Sequence, residues 1–223
     1  MNTPVYNVSS TRSLPAATVN KTLRNTYALL GMLFVFGAAT AWVAQAMNWR
    51  IGFFPFLIGI FAFSYAITRT RNSVWGLVLS FGFAGLLGVV TGSNVNAALY
   101  QYSNGGELVA SAFGLTAGIF FALSAYAMTT KRDFSGWFAF LGVGTLAVLG
   151  AFILNYFLQV PALALALSTM IIMLSCGWII WQTQQNVRNG ETNYIMAATA
   201  LMADIFVLFN HLLALLGFGF GED

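Results

Sequence analysis

One aspartate, Asp204, lies near the middle of an apolar stretch, Asn193 to Gly217, that is long enough to cross a bilayer. A carboxylate at that depth costs roughly 2.5–3.5 kcal/mol on insertion scales, so it must face a protein interior or a water-filled cavity. At 3.6 residues per turn, Asp204, Leu208, His211 and Leu215 share one face, which Asn193, Ala197 and Ala200 continue. The preceding apolar stretch carries a second polar stripe: Ser168, Ser175 and Gln182 recur every seven residues, and Asn186 and Asn189 extend it. Serines in a membrane helix often bond their own backbone. Gln182 is more informative, because an amide both donates and accepts and can bond Asp204 across a helix interface. Dry surroundings disfavour the charged carboxylate. Asp204 is therefore a proton-sensitive element, neutral when its site is dry and charged when water or a cation enters. The competing reading is a packing face whose polar atoms bond to neighbouring helices, and His211, near the outer interface, fits that reading best.

Other chemistry can be set aside. With one histidine and one cysteine, Cys176, there is no zinc cluster of the usual ligands and no internal disulfide. No Gly-x-Ser-x-Gly and no Ser–His pair in adjacent spans points to an intramembrane hydrolase. A retinal protein needs a lysine in its last span, and here the last lysine is Lys131. No glycine-rich phosphate motif is present. The chain reads as a non-enzyme with no cofactor.

The elements that must position the polar stripes follow from composition. Of 223 residues, 59% are apolar and 7% charged, against about 25% charged in ordinary soluble proteins. Apolar runs recur at about 26–47, 51–68, 74–92, 107–128, 136–158, 160–184 and 193–217. This pattern predicts an all-α integral membrane protein, one domain over 23–223 with short loops. Residues 1–22 are polar and are expected to form a flexible tail; they lack the ordered features of a cleaved signal peptide. Short links predict that spans one and two are antiparallel neighbours, as are spans five and six, where Pro161 opens the sixth span. The uncharged segment 93–106 is expected to be an interfacial loop. Glycines such as Gly82, Gly85 and Gly88 predict close helix approach in a compact bundle.

Charge sets orientation. Arg12, Lys21, Arg24, Arg69, Arg71, Lys131, Arg132 and Arg188 fall on one side and only Arg50 on the other, so the N-terminus is expected inside and the C-terminus outside. The net charge of +3 therefore speaks for a lipid bilayer as partner, not nucleic acid.

Several stretches resemble the Bax-inhibitor family, and within it the bacterial YccA-like branch. They are Lys21-Thr-Leu-Arg-Asn-Thr-Tyr27; Thr116-Ala-Gly-Ile-Phe120 with Leu123-Ser-Ala-Tyr-Ala127 and Thr129-Thr-Lys-Arg-Asp133; Asn155-Tyr-Phe-Leu-Gln159 with Pro161-Ala-Leu163; and Asn189-Gly-Glu-Thr-Asn-Tyr-Ile195 with the stretch that follows. The resemblance implies a seven-helix fold whose last helix is wrapped by the other six. It implies either of two activities in the bacterial inner membrane: modulation of, or service as substrate to, the protease FtsH with HflK–HflC, or a pH-sensitive calcium leak. The leak is sensed by two carboxylates, in spans six and seven. The span-seven acid falls on Asp204, but the span-six position reads Trp181-Gln182-Thr183-Gln184, so an amide stands where the family places an acid. Two carboxylates titrate as a coupled pair; Gln182 with Asp204 cannot. The resemblance thus implies a single-site sensor of Asp204 and Gln182, with Ser175 and His211 lining it. Calcium should bind weakly to one carboxylate and one amide. Arg69 and Arg71 are the candidates for latching the inner mouth.

Overall fold

Residues 16–188 and 193–221 are described by a computed structural model. It contains α1 (Ala16–Ala46), α2 (Phe53–Thr70), α3 (Val74–Gln101), α4 (Gly105–Thr129), α5 (Trp137–Leu158), α6 (Pro161–Arg188) and α7 (Tyr194–Phe220), with no strand among the described residues. Each of the seven is long and apolar enough to cross a membrane. With no water in hydrocarbon, a helix is the one open-chain structure that satisfies its own backbone there.

α7 is the central element. α1, α3, α4 and α6 pack directly on it, while α2 lies mainly on α3 and α5 mainly on α6. The wrapping by six helices is therefore two-tiered: four pack extensively on α7 and two lie mainly in an outer layer. Much of the buried face of α7 is apolar, including Leu201, Met202, Ile205 and Leu208, and it meets Leu29, Leu33, Phe83, Ala84 and Ile179 in one cluster. Rings tie the outer layer. Phe53 of α2 stacks on Tyr156 of α5 (4.8 Å between centroids), and Phe138 of α5 packs against Trp178 and Trp181 of α6.

Two neighbour expectations separate here. α5 and α6 do pack side by side, turning through Gln159 in the left-handed region (φ 52°). α1 and α2 do not form a substantial pair, because α3 takes the place beside α1. Contact between α1 and α3 is the most extensive in the bundle and runs through glycines. A Cβ on Gly88 would collide with the Gly37 carbonyl and the Thr40 hydroxyl, and one on Gly92 with the Ala41 carbonyl. The six-residue link 47–52 can span about 20 Å when extended, enough to carry the chain past the width of one helix.

Helix limits differ from expectation in two places. α3 continues to Gln101, so most of the segment expected to be a loop is helical. Its asparagines make long-range ties: Asn94, though exposed, donates to Asn210 of α7 (2.8 Å), and Asn96 donates to Asn48 in the link after α1 (3.0 Å). Ala97, Ala98 and Leu99, good helix formers, carry the helix through them. α1 begins at Ala16, so residues 16–22, expected in the tail, are helical; its membrane-length part starts at Lys21. The rest of that segment, and Asn189, lie outside the described residues.

The packing of α1 on α3 predicts that Gly92→Leu destabilises the bundle by at least about 1–3 kcal/mol, the usual range for overpacking, since the colliding atoms are backbone. Gly118→Ala, where a Cβ meets nothing within 4 Å, leaves the midpoint unchanged. Thermal unfolding in detergent measures both.

Candidate functional site

The site is built where α6 and α7 run antiparallel. In each helix the Cα–Cβ bond leans toward its own N-terminus. Gln182 on α6 and Asp204 on α7 therefore lean toward each other along the bundle axis. The Gln182 Nε2 donates to the Asp204 Oδ2 at 2.7 Å. The bond stands about 15 Å into α7 from Tyr194, at about 1.5 Å per residue, near the middle of the helix. Both side chains are half-buried. The carbonyl end of Gln182, Oε1, is buried without a partner. This leaves an unmet acceptor beside the only carboxyl of α7.

The remaining expected site residues scatter along the same interface. Ser175 is buried on α6, between the other two members of its stripe. His211 is not beside Asp204. Its Nδ1 lies 3.1 Å from the Ser168 hydroxyl, and its ring meets Phe152 edge to face. This is a Ser–His pair in adjacent spans, contrary to the sequence expectation. Two residues far apart in the chain met because α6 and α7 are antiparallel, so spacing could not reveal the pair. Ser168 is buried, so it offers no accessible nucleophile and the contact is a structural tie. Among the described residues no three His, Cys, Asp or Glu side chains converge. An open cleft at the far end of α5, lined by Phe152, Asn155, Tyr156, Phe157 and Gln159, does not include Gln182 or Asp204 in its walls.

The end of the bundle carrying Lys21, Arg24, Arg69, Arg71, Lys131 and Arg132 is called the basic end below. Arg69 and Arg71, the latch candidates, sit on it with exposed side chains. Arg69 Nε donates to the Tyr65 hydroxyl one turn back on α2 (3.1 Å), and its guanidinium lies over that ring. Arg71 enters the fold through its backbone. Its carbonyl accepts from Asn193 Nδ2 (2.8 Å), which also donates to the Asn72 Oδ1, while the Asn193 Oδ1 caps the first amides of α7, those of Ile195 and Met196. One asparagine thus caps α7 and ties it to the turn between α2 and α3.

Two other polar ties escaped sequence reasoning. Gln184, buried on α6, accepts from the Phe134 amide and donates to the Arg132 carbonyl, both at 2.7 Å, and so pins the link between α4 and α5. Asn210 on α7 donates to Thr91 Oγ1 and to the Phe206 carbonyl. An amide inside an apolar run is itself a signal, so Asn210 was readable; its partner Thr91 lies within the expected third span, but spacing could not pair two residues so far apart in the chain.

These features define a polytopic helical membrane protein organised around its last helix, which polar side chains tie to its neighbours. The family described as Inhibitor of apoptosis-promoting Bax1 matches residues 19–221. The chain belongs to this Bax-inhibitor family. It is 38% identical to an uncharacterised protein of Pseudomonas aeruginosa over 206 residues, 92% of each chain. It is 37% identical over 200 residues, 89% of this chain and 90% of the relative, to an Escherichia coli protein named Modulator of FtsH protease YccA. At the same identity and coverage it matches the protein of a second Escherichia coli strain named Inner membrane protein YccA.

Removing one partner of a buried hydrogen bond leaves the other unmet, at about 1–3 kcal/mol. Gln182→Leu is therefore expected to lower the unfolding midpoint, and adding Asp204→Leu to restore most of the loss. A double-mutant cycle by thermal unfolding in detergent checks the coupling.

Proposed function

We propose that this chain acts in the bacterial inner membrane as a YccA-like partner of the protease FtsH, modulating it or being drawn into it as a substrate, together with HflK–HflC. The observation that carries this reading is the end-to-end likeness to a protein named as a modulator of FtsH. The chain would sit with its N-terminus and basic end in the cytoplasm and its C-terminus outside, following the distribution of Lys and Arg. The segment before α1 is then the handle that a cytoplasmic protease engages. It acts as a non-enzymatic regulator, and no catalytic step is assigned to it.

Asp204, bonded to Gln182 at 2.7 Å, favours a second reading, a pH-sensitive cation leak along α6 and α7. In this reading Asp204 and Gln182 form the sensor, Ser175 and His211 line its path, and Arg69 or Arg71 closes the cytoplasmic mouth. Deprotonated Asp204 attracts a cation and protonated Asp204 does not, so flux is present at higher pH and lost as pH falls. Because Gln182 carries no titrating proton, the response is that of one site. A hard cation such as calcium binds weakly to so few charged oxygens.

The first reading predicts that FtsH and HflK–HflC co-purify with the chain from gently solubilised native membranes. Removing residues 1–15, which leaves α1 whole, should slow its turnover several-fold. A preparation that keeps other membrane partners and lacks these three counts against it. The second reading predicts small calcium fluxes in liposomes with a shallow, one-proton acid dependence. Asp204→Asn abolishes that dependence, and Gln182→Asp raises the flux and steepens its acid inhibition. Unchanged flux and pH profile in Asp204→Asn removes Asp204 from the gate.

A further inference from the structure

Several hydroxyls in the spans of this protein turn back on their own helix. Thr40, Thr70, Ser80, Thr116 and Thr169 each donate to a carbonyl three or four residues earlier, at 2.7–3.0 Å. That is the usual resolution for a hydroxyl in hydrocarbon. Ser124 on α4 and Thr183 on α6 do not follow it. Ser124 is 4% exposed and Thr183 0%, yet neither hydroxyl has a hydrogen-bond partner. The Tyr27 hydroxyl of α1 lies close enough to interact with both, without closing a hydrogen bond to either. Three hydroxyls from three helices thus face one another.

Their depths agree. Ser124 is five residues before the end of α4 at Thr129, and Thr183 five before the end of α6 at Arg188, each about 7.5 Å in at about 1.5 Å per residue. Tyr27 is six residues past Lys21, where the membrane-length part of α1 begins. The group therefore lies on the basic side of the Asp204 level. Thr183 adjoins Gln182, whose Oε1 is itself buried and unmet. A buried water takes roughly two to four polar partners, which these hydroxyls supply. No cation of high charge fits a donor set without a carboxylate, and leaving such groups dry in a bilayer is costly.

We propose that Tyr27, Ser124 and Thr183 form an internal water-binding site between α1, α4 and α6, on the basic side of the Gln182–Asp204 pair, so that water approaches the pair from that side. This goes beyond either reading of function and depends on neither. Radiolytic hydroxyl-radical labelling with mass spectrometry, on the full chain in lipid nanodiscs, is the test, since bound water generates the radical where it sits. Tyr27 is expected to label several-fold faster than Phe140, which is exposed on the lipid-facing side of α5. The double variant Ser124→Ala with Thr183→Val should cut Tyr27 labelling several-fold, and Thr183→Ser, which keeps the hydroxyl, should retain it. Tyr27 labelling no faster than Phe140, or undiminished in the double variant, overturns the site. Stability gives a second readout of opposite sign. If the site is dry, removing unmet hydroxyls raises the unfolding midpoint, and that result too overturns the proposal; if water is bound there, the midpoint falls.

Discussion

A polar group inside a bilayer has only protein to bond, and the arrangement of this bundle follows from that constraint. Asp204 is tolerable because Gln182 reaches it across an antiparallel interface. Asn210 is tolerable because α3 offers Thr91 and, past its expected end, Asn94. Thr199 meets Ser80 in the same way at 2.9 Å. The polar residues on α7 are met from two helices, α3 and α6, which helps to hold the last helix at the centre. The helices that supply these partners, α3 and α6, are themselves held in place. α3 is fixed by glycine contacts with α1, and α6 by rings and the bond from Trp178 to Thr145 of α5.

The ends of the bundle are governed by amides rather than by charges. Asn193 and Gln184 bind the links between α2 and α3 and between α4 and α5 at the basic end. Asn104 donates to the Phe220 carbonyl at the opposite end, where Tyr102 packs over Gly217. The arginines at the basic end remain exposed at the surface, while backbone carbonyls close the structure. Position 182 separates this chain from a two-carboxylate sensor. An amide gives Asp204 a hydrogen-bond donor without adding a second titrating proton.

Span number, approximate limits and the distribution of basic residues were legible in the sequence, because hydropathy and charge act along the chain and need no knowledge of neighbours. The pairing of Gln182 with Asp204 was also legible, since a buried carboxylate demands a donor and few were available at that depth. The limits failed at 93–106, where polarity was read as a loop although Asn94 bonds α7 and Asn96 bonds the link between α1 and α2.

Seven apolar helices, the polar stripes of α6 and α7, and the absence of a second acid at position 182 were determined by the sequence alone. Tertiary structure decided which helices pack: α3 beside α1 in place of α2, four helices packed extensively on α7, His211 against Ser168, and Ser124 and Thr183 turned toward Tyr27. The physical reason is that helix formation in lipid is settled residue by residue within each span, whereas packing in lipid has no hydrophobic drive. Packing is chosen by close backbone approach and by which hydrogen bonds can be completed, and both depend on atoms far away in the chain.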